Sequence, residues 1–204
     1  MTEDEARQWV RASFDVSCET RLLEFAALVV EENCRQNLIA PSTIESLWSR
    51  HIVDSAQLLV LADGQTGAWL DIGTGGGFPG MVVACLTERP IVLCEPRRRR
   101  AEFLREAVDR IGLAHVDVAQ CRVESLPAKN FSTISARAVS SLPDLFQSAH
   151  HLSDRATTWV LPKGKTAREE VVAARKTWHG AFHVKHSLTQ SGSLIVVARG
   201  VARK

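Results

Sequence analysis

A glycine-rich stretch after a short apolar run constrains this chain more than any other feature. Residues 68–72 are apolar apart from Asp71, which predicts a buried parallel strand. Glycines at positions 73, 75, 76, 77 and 80 follow at once, and the apolar residues 81–86 after them predict a helix. Glycines permit a tight turn and let backbone N–H groups approach a ligand. The stretch therefore predicts a phosphate- or nucleotide-binding loop.

Two cofactor classes use such a loop, and the spacing separates them. Gly75, Gly77 and Gly80 satisfy the dinucleotide pattern G-x-G-x-x-G. A dinucleotide loop that began at the strand end would instead need glycine at positions 73, 75 and 78, and position 78 is Phe78. The alternative D-x-G-x-G-x-G pattern also explains Asp71 and resembles the first motif of Rossmann-like S-adenosylmethionine methyltransferases. A glycine-rich turn without a ligand is the remaining interpretation.

Strand and helix patterns alternate from residue 68 onward. Strands are expected at 68–72, 91–94, 115–118, 131–135 and 156–161, with helices at 79–87, 97–111, 141–151 and 165–178. This alternation predicts a parallel α/β sheet, and two segments of period two, at 181–188 and 193–198, predict a terminal antiparallel hairpin. Residues 1–62 show helical patterns, with expected caps at residues 2–5 and at 42–45, and the polar residues 63–67 form the expected boundary. We therefore expect a helical lobe at 1–62 and a nucleotide-binding domain at 68–204.

Composition excludes few function classes. The chain is 45% hydrophobic and 24% charged, which is enough apolar sequence for a core, and its net charge of +2 says little about partners. Five widely spaced cysteines without metal-ligand spacing indicate reduced thiols rather than zinc or disulfides. Residues 1–11 are polar and acidic, and no apolar run approaches a membrane span, so we expect a cytoplasmic protein with no membrane partner.

Several polar residues follow the predicted strands, on the edge of the sheet where α/β proteins bind ligands. Glu95, 22 residues after Gly73, has the position of an acid that binds ribose hydroxyls, and its placement favours this role over that of a surface carboxylate beside the arginines. Val123 and Glu124 follow the third strand and could present backbone groups to an adenine edge; Glu124 could equally be a surface acid. Arg137 and Lys163 follow the fourth and fifth strands.

The chain resembles the RsmG (GidB) family of 16S ribosomal RNA guanine-N7 methyltransferases. The resemblance covers about residues 37–165 and is carried by N-L-x-A at 37–40, R-H-x-x-D-S at 50–55, D-x-G-T-G-x-G-x-P-G at 71–80, S-A-R-A at 135–138 and K-G at 163–164. It implies a class I Rossmann-like methyltransferase fold, with a seven-stranded, mostly parallel sheet, a terminal hairpin and an N-terminal helical lobe. It also implies S-adenosyl-L-methionine as cofactor, bound by residues that include Gly73, Phe78, Val123, Glu124 and Arg137. With the motif residues Asp71, Gly75 and Gly77 and with Glu95, these form the expected cofactor site.

The implied substrate is 16S rRNA in the small ribosomal subunit or its precursor. Guanine N7 has an exposed lone pair, so no general base is required, and Arg137 and Lys163 are the candidates for gripping the RNA. His51, Arg97, Arg98 and Lys163 are the expected RNA contacts, although His51 could instead tie the lobe to the sheet. Four arginines at 97–100 also suit the 2′-phosphate of NADP, so an NADP-dependent reductase and a non-catalytic RNA-binding or nucleotide-sensing module remain alternatives. The sequence indicates no metal and does not reveal the oligomeric state; a monomer is the simplest expectation.

Overall fold

The computed structural model describes residues 1–62 and 64–204, within which seven strands form one sheet in the order β3-β2-β1-β4-β5-β7-β6. Strands β1 to β5 are parallel, and β7 is antiparallel to both β5 and β6. The predicted parallel sheet with a terminal hairpin is thus confirmed. The strands are β1 Trp69–Ile72, β2 Ile91–Cys94, β3 Val116–Ala119, β4 Thr133–Ala136, β5 Thr158–Pro162, β6 Trp178–His186 and β7 Leu194–Arg203.

α-Helices precede the sheet and connect its parallel strands, except that the short 3₁₀ helix Val123–Ser125 lies between β3 and β4. They are α1 Glu3–Ser13, α2 Val16–Asn33, α3 Asp54–Leu61, α4 Gly80–Leu86, α5 Arg98–Ile111, α6 Leu142–Ala149 and α7 Ala167–Ala174. One helix boundary differs from its prediction for a clear reason. The last helix ends at Ala174 rather than at 178, because Trp178 already belongs to β6 and packs edge-on against Phe146 in the core, with ring centroids 5.7 Å apart.

Of the two predicted N-terminal helix caps, one is confirmed and the other is wrong. Thr2 and Glu5 form the expected capping box of α1. The second predicted cap, at 42–45, is wrong: Pro41 starts a 3₁₀ helix, Pro41–Ser46, and its N-cap residue is Ala40. Thr43 therefore lies within this helix, and its hydroxyl donates to the Ala40 carbonyl oxygen at 2.7 Å. A π-helical segment, Trp48–Val53, then leads directly into α3.

The core lies on both faces of the sheet. Helices α1 to α5 share one hydrophobic cluster with one face, whereas α6 and α7 cover the other. The segment 1–62 thus packs into the same cluster as α4 and α5, and the division of the chain at 63–67 stays a prediction. Asp63, the first residue of that expected boundary, lies outside the described residues. Among the residues described, no helix has the length and apolar character needed to span a membrane.

Candidate functional site

The glycine loop joins β1 to α4 at the carboxyl edge of the sheet. In the sheet, β1 lies between β2 and β4. Gly73 and Gly75 have φ angles of +65° and +61°, a conformation that favours glycine. The Gly73 N–H donates to the Cys94 carbonyl at 2.8 Å, and the Gly75 N–H donates to Oε2 of Glu95, also at 2.8 Å. The loop that sequence analysis singled out therefore lies against the end of β2.

The remaining loop glycines are required by packing. A Cβ atom on Gly77 would lie 2.4 Å from Cζ of Phe25, and one on Gly80 would lie 2.4 Å from Cδ2 of Leu93. Gly77, expected in the cofactor site, thus faces the N-terminal helices. Phe78 is buried beside it, with its ring 5.3 Å from that of Phe25.

Asp71 has a different environment from the one expected of a cofactor ligand. It has no exposed surface, and its carboxylate accepts hydrogen bonds from Ser135 Oγ at 2.6 Å and from the Gly80 N–H at 3.0 Å. Burial raises the pKa of Asp71 to about 6, while these hydrogen bonds oppose the rise. Contact with a ligand would require the loop to move, so we revise the expected role of Asp71 to holding the loop and α4 against the sheet.

Glu95 is also almost completely buried, at 3% exposure. Its Oε1 accepts from the Arg97 N–H at 2.8 Å, and its Oε2 accepts from Gly75 as described above. An ionised carboxylate has about four acceptor positions. Glu95 can thus support the loop and still accept hydrogen bonds from the ribose hydroxyls of a ligand bound at the loop surface.

Val123 and Glu124 form the 3₁₀ turn Val123–Ser125 after β3. Val123 is buried in the cluster that contains Ile72 and Cys94, and Glu124 is exposed. This arrangement suits an adenine ring, because Val123 provides an apolar wall beside an exposed turn. Together with Glu95 and the left-handed turns at Gly73 and Gly75, it fits a nucleoside cofactor.

One segment covers part of this surface. The exposed Val139 lies over Gly73, where a Cβ atom on the glycine would be 2.7 Å from Val139 Cγ2. The preceding residue, Ala138, has a φ angle of +56°. Lys163 anchors the same segment, since its Nζ donates to the Ser140 carbonyl oxygen and lies 3.1 Å from a carboxylate oxygen of Glu170. The Lys163 side chain, expected to grip RNA, is therefore occupied within the protein.

Arg137 lies at the centre of a polar cluster beside the loop. Its guanidinium carbon is 5.2 Å from the centre of the Phe78 ring, and its Nη1 is 3.8 Å from Oδ2 of Asp54. Its Nη2 donates to Nδ1 of His51 at 3.2 Å. The structure thus brings the predicted residues Arg137, His51 and Phe78 together, although they are separated in the chain.

His51 is held in one protonation state by this cluster. Arginine can only donate, so Nδ1 must accept, and the ring proton of neutral His51 lies on Nε2, which is 2.9 Å from Thr43 Oγ1. Burial, with smaller effects from Arg137 and Arg50, lowers the pKa of His51 to about 3. His51 is therefore a neutral acceptor that orients Arg137.

Two adjoining hollows of about 450 Å³ each open around Arg137. They share Asp54, Arg137 and Ser193, and form what we call the Arg137 cleft. Thr189, Gln190 and Ser193, from the turn between β6 and β7, line one wall. Sequence analysis did not identify these three residues, or Thr43, as candidate site residues. The hairpin pattern predicts a turn between β6 and β7, but nothing in the sequence indicates that this turn contacts α3.

The arginine run at 97–100 divides into two pairs. Arg99 Nη2 donates to the carbonyl oxygen of Arg35 at 3.0 Å, and Arg100 Nη2 donates to that of Asn37 at 3.2 Å. Arg97 and Arg98, the expected RNA contacts, are exposed, and Arg98 pairs with Glu102 at 2.7 Å. Arg99 is exposed as well, and Arg100 is partly buried, so the two pairs differ in that the second also joins α5 to the segment after α2.

Comparison with known proteins supports these observations. A family model described as "rRNA small subunit methyltransferase G" (GidB) matches residues 18–194. Ribosomal RNA small subunit methyltransferase G of Sphingopyxis alaskensis is 44% identical, over 97% of this chain and 86% of the relative. The protein of the same name from Erythrobacter litoralis is 42% identical, over 99% of this chain and 98% of the relative.

Several solved structures with the same fold are methyltransferases. An O-methyltransferase from Bacillus cereus in complex with SAH has a TM-score of 0.60 at 16% identity, covering 94% of this chain and 96% of that one. A methyltransferase from Geobacter sulfurreducens has a TM-score of 0.59 at 11% identity, covering 86% and 87%. At these identities the likeness concerns the fold alone, which is the class I methyltransferase fold.

Proposed function

The chain belongs to the rRNA small subunit methyltransferase G family, and from this premise we propose that it transfers a methyl group from S-adenosyl-L-methionine to N7 of a guanine in 16S rRNA. The observation that carries the proposal is the adjacency of two features at the carboxyl edge of the sheet. One is the loop at Gly73 and Gly75 with Glu95 at its base, which fits a nucleoside. The other is the Arg137 cleft, which is large enough for a nucleotide.

The residues that would hold the cofactor are those around the loop. Glu95 would accept the ribose hydroxyls, and Val123 with the backbone at Glu124 would receive the adenine. The loop at Gly73 would approach the remainder of the molecule, provided that Val139 moves from its place over Gly73. S-adenosylmethionine, when bound, supplies an electrophilic methyl group attached to a positively charged sulfur.

The chain's own residues need not remove a proton. The lone pair on guanine N7 forms the new bond to carbon, the electron pair of the broken bond returns to sulfur, and the positive charge passes to the purine. Alignment of the two reactants can then supply much of the rate enhancement, up to about 7–11 kcal/mol in favourable cases. Arg137, fixed by His51, Asp54 and Phe78, is placed to orient the substrate.

The RNA must present its target outside a regular helix. A-form RNA has a deep, narrow major groove in which N7 is inaccessible to side chains, so the guanine must lie in a loop or be splayed out. We infer that the substrate is the small ribosomal subunit or its precursor, because a net charge of only +2 favours recognition by shape together with charge. Action as a monomer and a cytoplasmic location remain our expectations.

The NADP-dependent reductase is disfavoured by the arginine run itself. Arg99 and Arg100 already donate to backbone carbonyls of residues 35 and 37, so half of the run is occupied within the protein. The chain also contains no tyrosine, which excludes a Tyr-x-x-x-Lys catalytic pair.

The proposal is tested by methyl transfer to small subunits from a bacterial strain that lacks this methyltransferase. Subunits are incubated with the protein and tritiated S-adenosylmethionine, and the labelled nucleoside is identified by chromatography. We expect 7-methylguanosine at one position of the 16S rRNA. Label on another nucleoside would overturn the N7 assignment, and turnover of NADPH without methyl transfer would favour the reductase.

A further inference from the structure

We propose that Arg137 and Asp54 together read the Watson–Crick edge of the target guanine, and that the carboxylate of Asp54 stabilises the positive charge that methylation creates on it. The proposal rests on the proposed function, since it assumes that guanine N7 is the nucleophile. It concerns Asp54, which the sequence analysis included only as the acid of the R-H-x-x-D-S motif at residues 50–55.

The two carboxylate oxygens of Asp54 have different environments. Oδ1 is 3.0 Å from Gln57 Nε2, 3.0 Å from Ser187 Oγ and 3.1 Å from Thr189 Oγ1, so it ties α3 to the turn between β6 and β7. Oδ2 is 3.8 Å from Arg137 Nη1, which is too far for a hydrogen bond. The Asp54 side chain is 15% exposed and borders both hollows of the Arg137 cleft. Oδ1 thus accepts hydrogen bonds within the protein, and Oδ2 can accept a hydrogen bond from a ligand.

The pair of Arg137 and Asp54 presents a donor beside an acceptor. The Watson–Crick edge of guanine presents, in order, the acceptor O6 and the donors N1–H and N2–H₂. Arginine can only donate, and an ionised carboxylate can only accept, so Arg137 matches O6 while Asp54 matches N1–H and N2–H₂. Adenine presents the reverse polarity, with a donor at position 6 and an acceptor at N1. The cleft therefore favours guanine over adenine.

This orientation also suits the reaction. N7 lies on the five-membered ring, away from N1 and N2, so a guanine held by its Watson–Crick edge keeps N7 free. Methylation at N7 makes the purine positive and N1–H more acidic, so its hydrogen bond to the carboxylate strengthens as the charge develops. An interaction that is stronger in the transition state than in the ground state raises kcat.

A purely structural role for Asp54, as a clamp on the turn, makes different predictions. Asp54→Asn separates the two roles, because the amide oxygen can replace Oδ1 as acceptor from Gln57, Ser187 and Thr189. The amide nitrogen then replaces Oδ2 and presents a donor where guanine also presents donors. Ser187→Ala is the matched control, since it removes a clamp contact without altering Oδ2.

The test compares guanosine with inosine, which keeps N7, O6 and N1–H but lacks the N2 amino group. The target position is located by mapping 7-methylguanosine, and ligated 16S rRNA carrying either nucleoside there is reconstituted into subunits. For the wild type we expect inosine to lower kcat/KM about tenfold, the scale of one hydrogen bond to a charged group. For Asp54→Asn we expect kcat on guanosine to fall about 10- to 100-fold and the inosine penalty to shrink to less than about twofold. Ser187→Ala should retain the tenfold penalty.

Two results would overturn the proposal. One is a wild-type enzyme that methylates inosine and guanosine equally well; the other is an inosine penalty that persists unchanged in Asp54→Asn. Both require that the wild type produces 7-methylguanosine, so they are distinct from failure of the proposed function, in which no 7-methylguanosine forms. Cofactor affinity of Asp54→Asn, measured by calorimetry with S-adenosylhomocysteine, should equal that of the wild type.

Discussion

Two side chains near the loop, the partly buried His51 and the fully buried Asp71, have pKa values displaced in opposite directions. Burial lowers the pKa of His51 and raises that of Asp71, because in each case the charged form is disfavoured. For His51 the result is a neutral ring that accepts from Arg137 through Nδ1. His51 is thus a neutral part of the wall of the Arg137 cleft.

The displaced pKa of His51 predicts a loss of stability in acid. Between its ordinary value of 6.5 and about 3, the unfolded chain binds a proton at His51 and the folded chain does not. The free energy of unfolding should therefore fall as the pH falls through this range, by at most about 1.4 kcal/mol per pH unit from this residue. Denaturant unfolding of wild type and His51→Gln near pH 7.5 and near pH 5 measures the effect.

The comparison isolates His51, because Asp71 is present in both proteins. Asp71 acts in the other direction, since its raised pKa makes the folded chain bind more protons between about 3.8 and 6. The difference in stability between wild type and His51→Gln should shift in favour of the variant as the pH falls. Parallel pH dependences of the two proteins would show that His51 is protonated in the folded state.

At the scale of the element, the glycine loop contains positions with distinct requirements. A Cβ atom on Gly75 would meet no atom closer than 3.6 Å, whereas one on Gly80 would lie 2.4 Å from Leu93 Cδ2 and 2.6 Å from Asp71 Oδ2. A Cβ atom on Gly75 would thus reach only ordinary van der Waals contact with Arg100 and the Gly73 carbonyl oxygen, whereas Gly80 is required for packing α4 on the sheet.

Substitution separates these two requirements. Gly75→Asn should leave the protein folded, because asparagine tolerates a positive φ, but should reduce binding of S-adenosylhomocysteine at least tenfold by filling the ligand's space. Gly112→Asn is the control: Gly112 has a φ angle of +76° with no atom within 4 Å of an added Cβ, and lies at the end of α5. Gly80→Ala should instead lower the free energy of unfolding by about 1–3 kcal/mol. Calorimetric affinity of Gly75→Asn equal to that of the control would contradict a cofactor site at this loop.

At the scale of the whole molecule, the N-terminal helices and the sheet are joined by one hydrophobic cluster and by the arginine run. Phe25 of α2 packs on Phe78 of the glycine loop, and Arg99 and Arg100 of α5 donate to backbone carbonyls of residues 35 and 37. Arg97 and Arg98 are exposed, and their role as RNA contacts stays a prediction.

Neutralising the two pairs separately should have different effects. Arg97 and Arg98 changed together to Gln should weaken RNA binding and lower its salt slope by up to about two units, with unchanged affinity for S-adenosylmethionine. Arg99 and Arg100 changed together to Gln should lower the free energy of unfolding by about 1–3 kcal/mol with a smaller change in the salt slope. RNA binding over a salt series measures the salt slope, and denaturant unfolding measures the stability. Equal salt slopes for the two double variants would contradict separate roles for the two arginine pairs.

The sequence by itself determined the class of fold, the place of the loop and the family. These follow from local patterns, each of which can be recognised within a short stretch of sequence. They are the apolar strand followed by glycines, the alternation of strand and helix patterns, and the motif at residues 50–55. Glu95 and Arg137 were found for the same reason, because a strand end predicts the ligand edge of a parallel sheet.

Only the tertiary structure decided what the side chains contact. Asp71 and Glu95 direct their carboxylates to backbone N–H groups of the loop, and Lys163 bonds to Ser140 and Glu170. Asp54 meets Ser187 across 133 residues of sequence. Such contacts depend on which elements the sheet order brings together and on the need of buried polar groups for partners, and neither leaves a periodic signal in the chain.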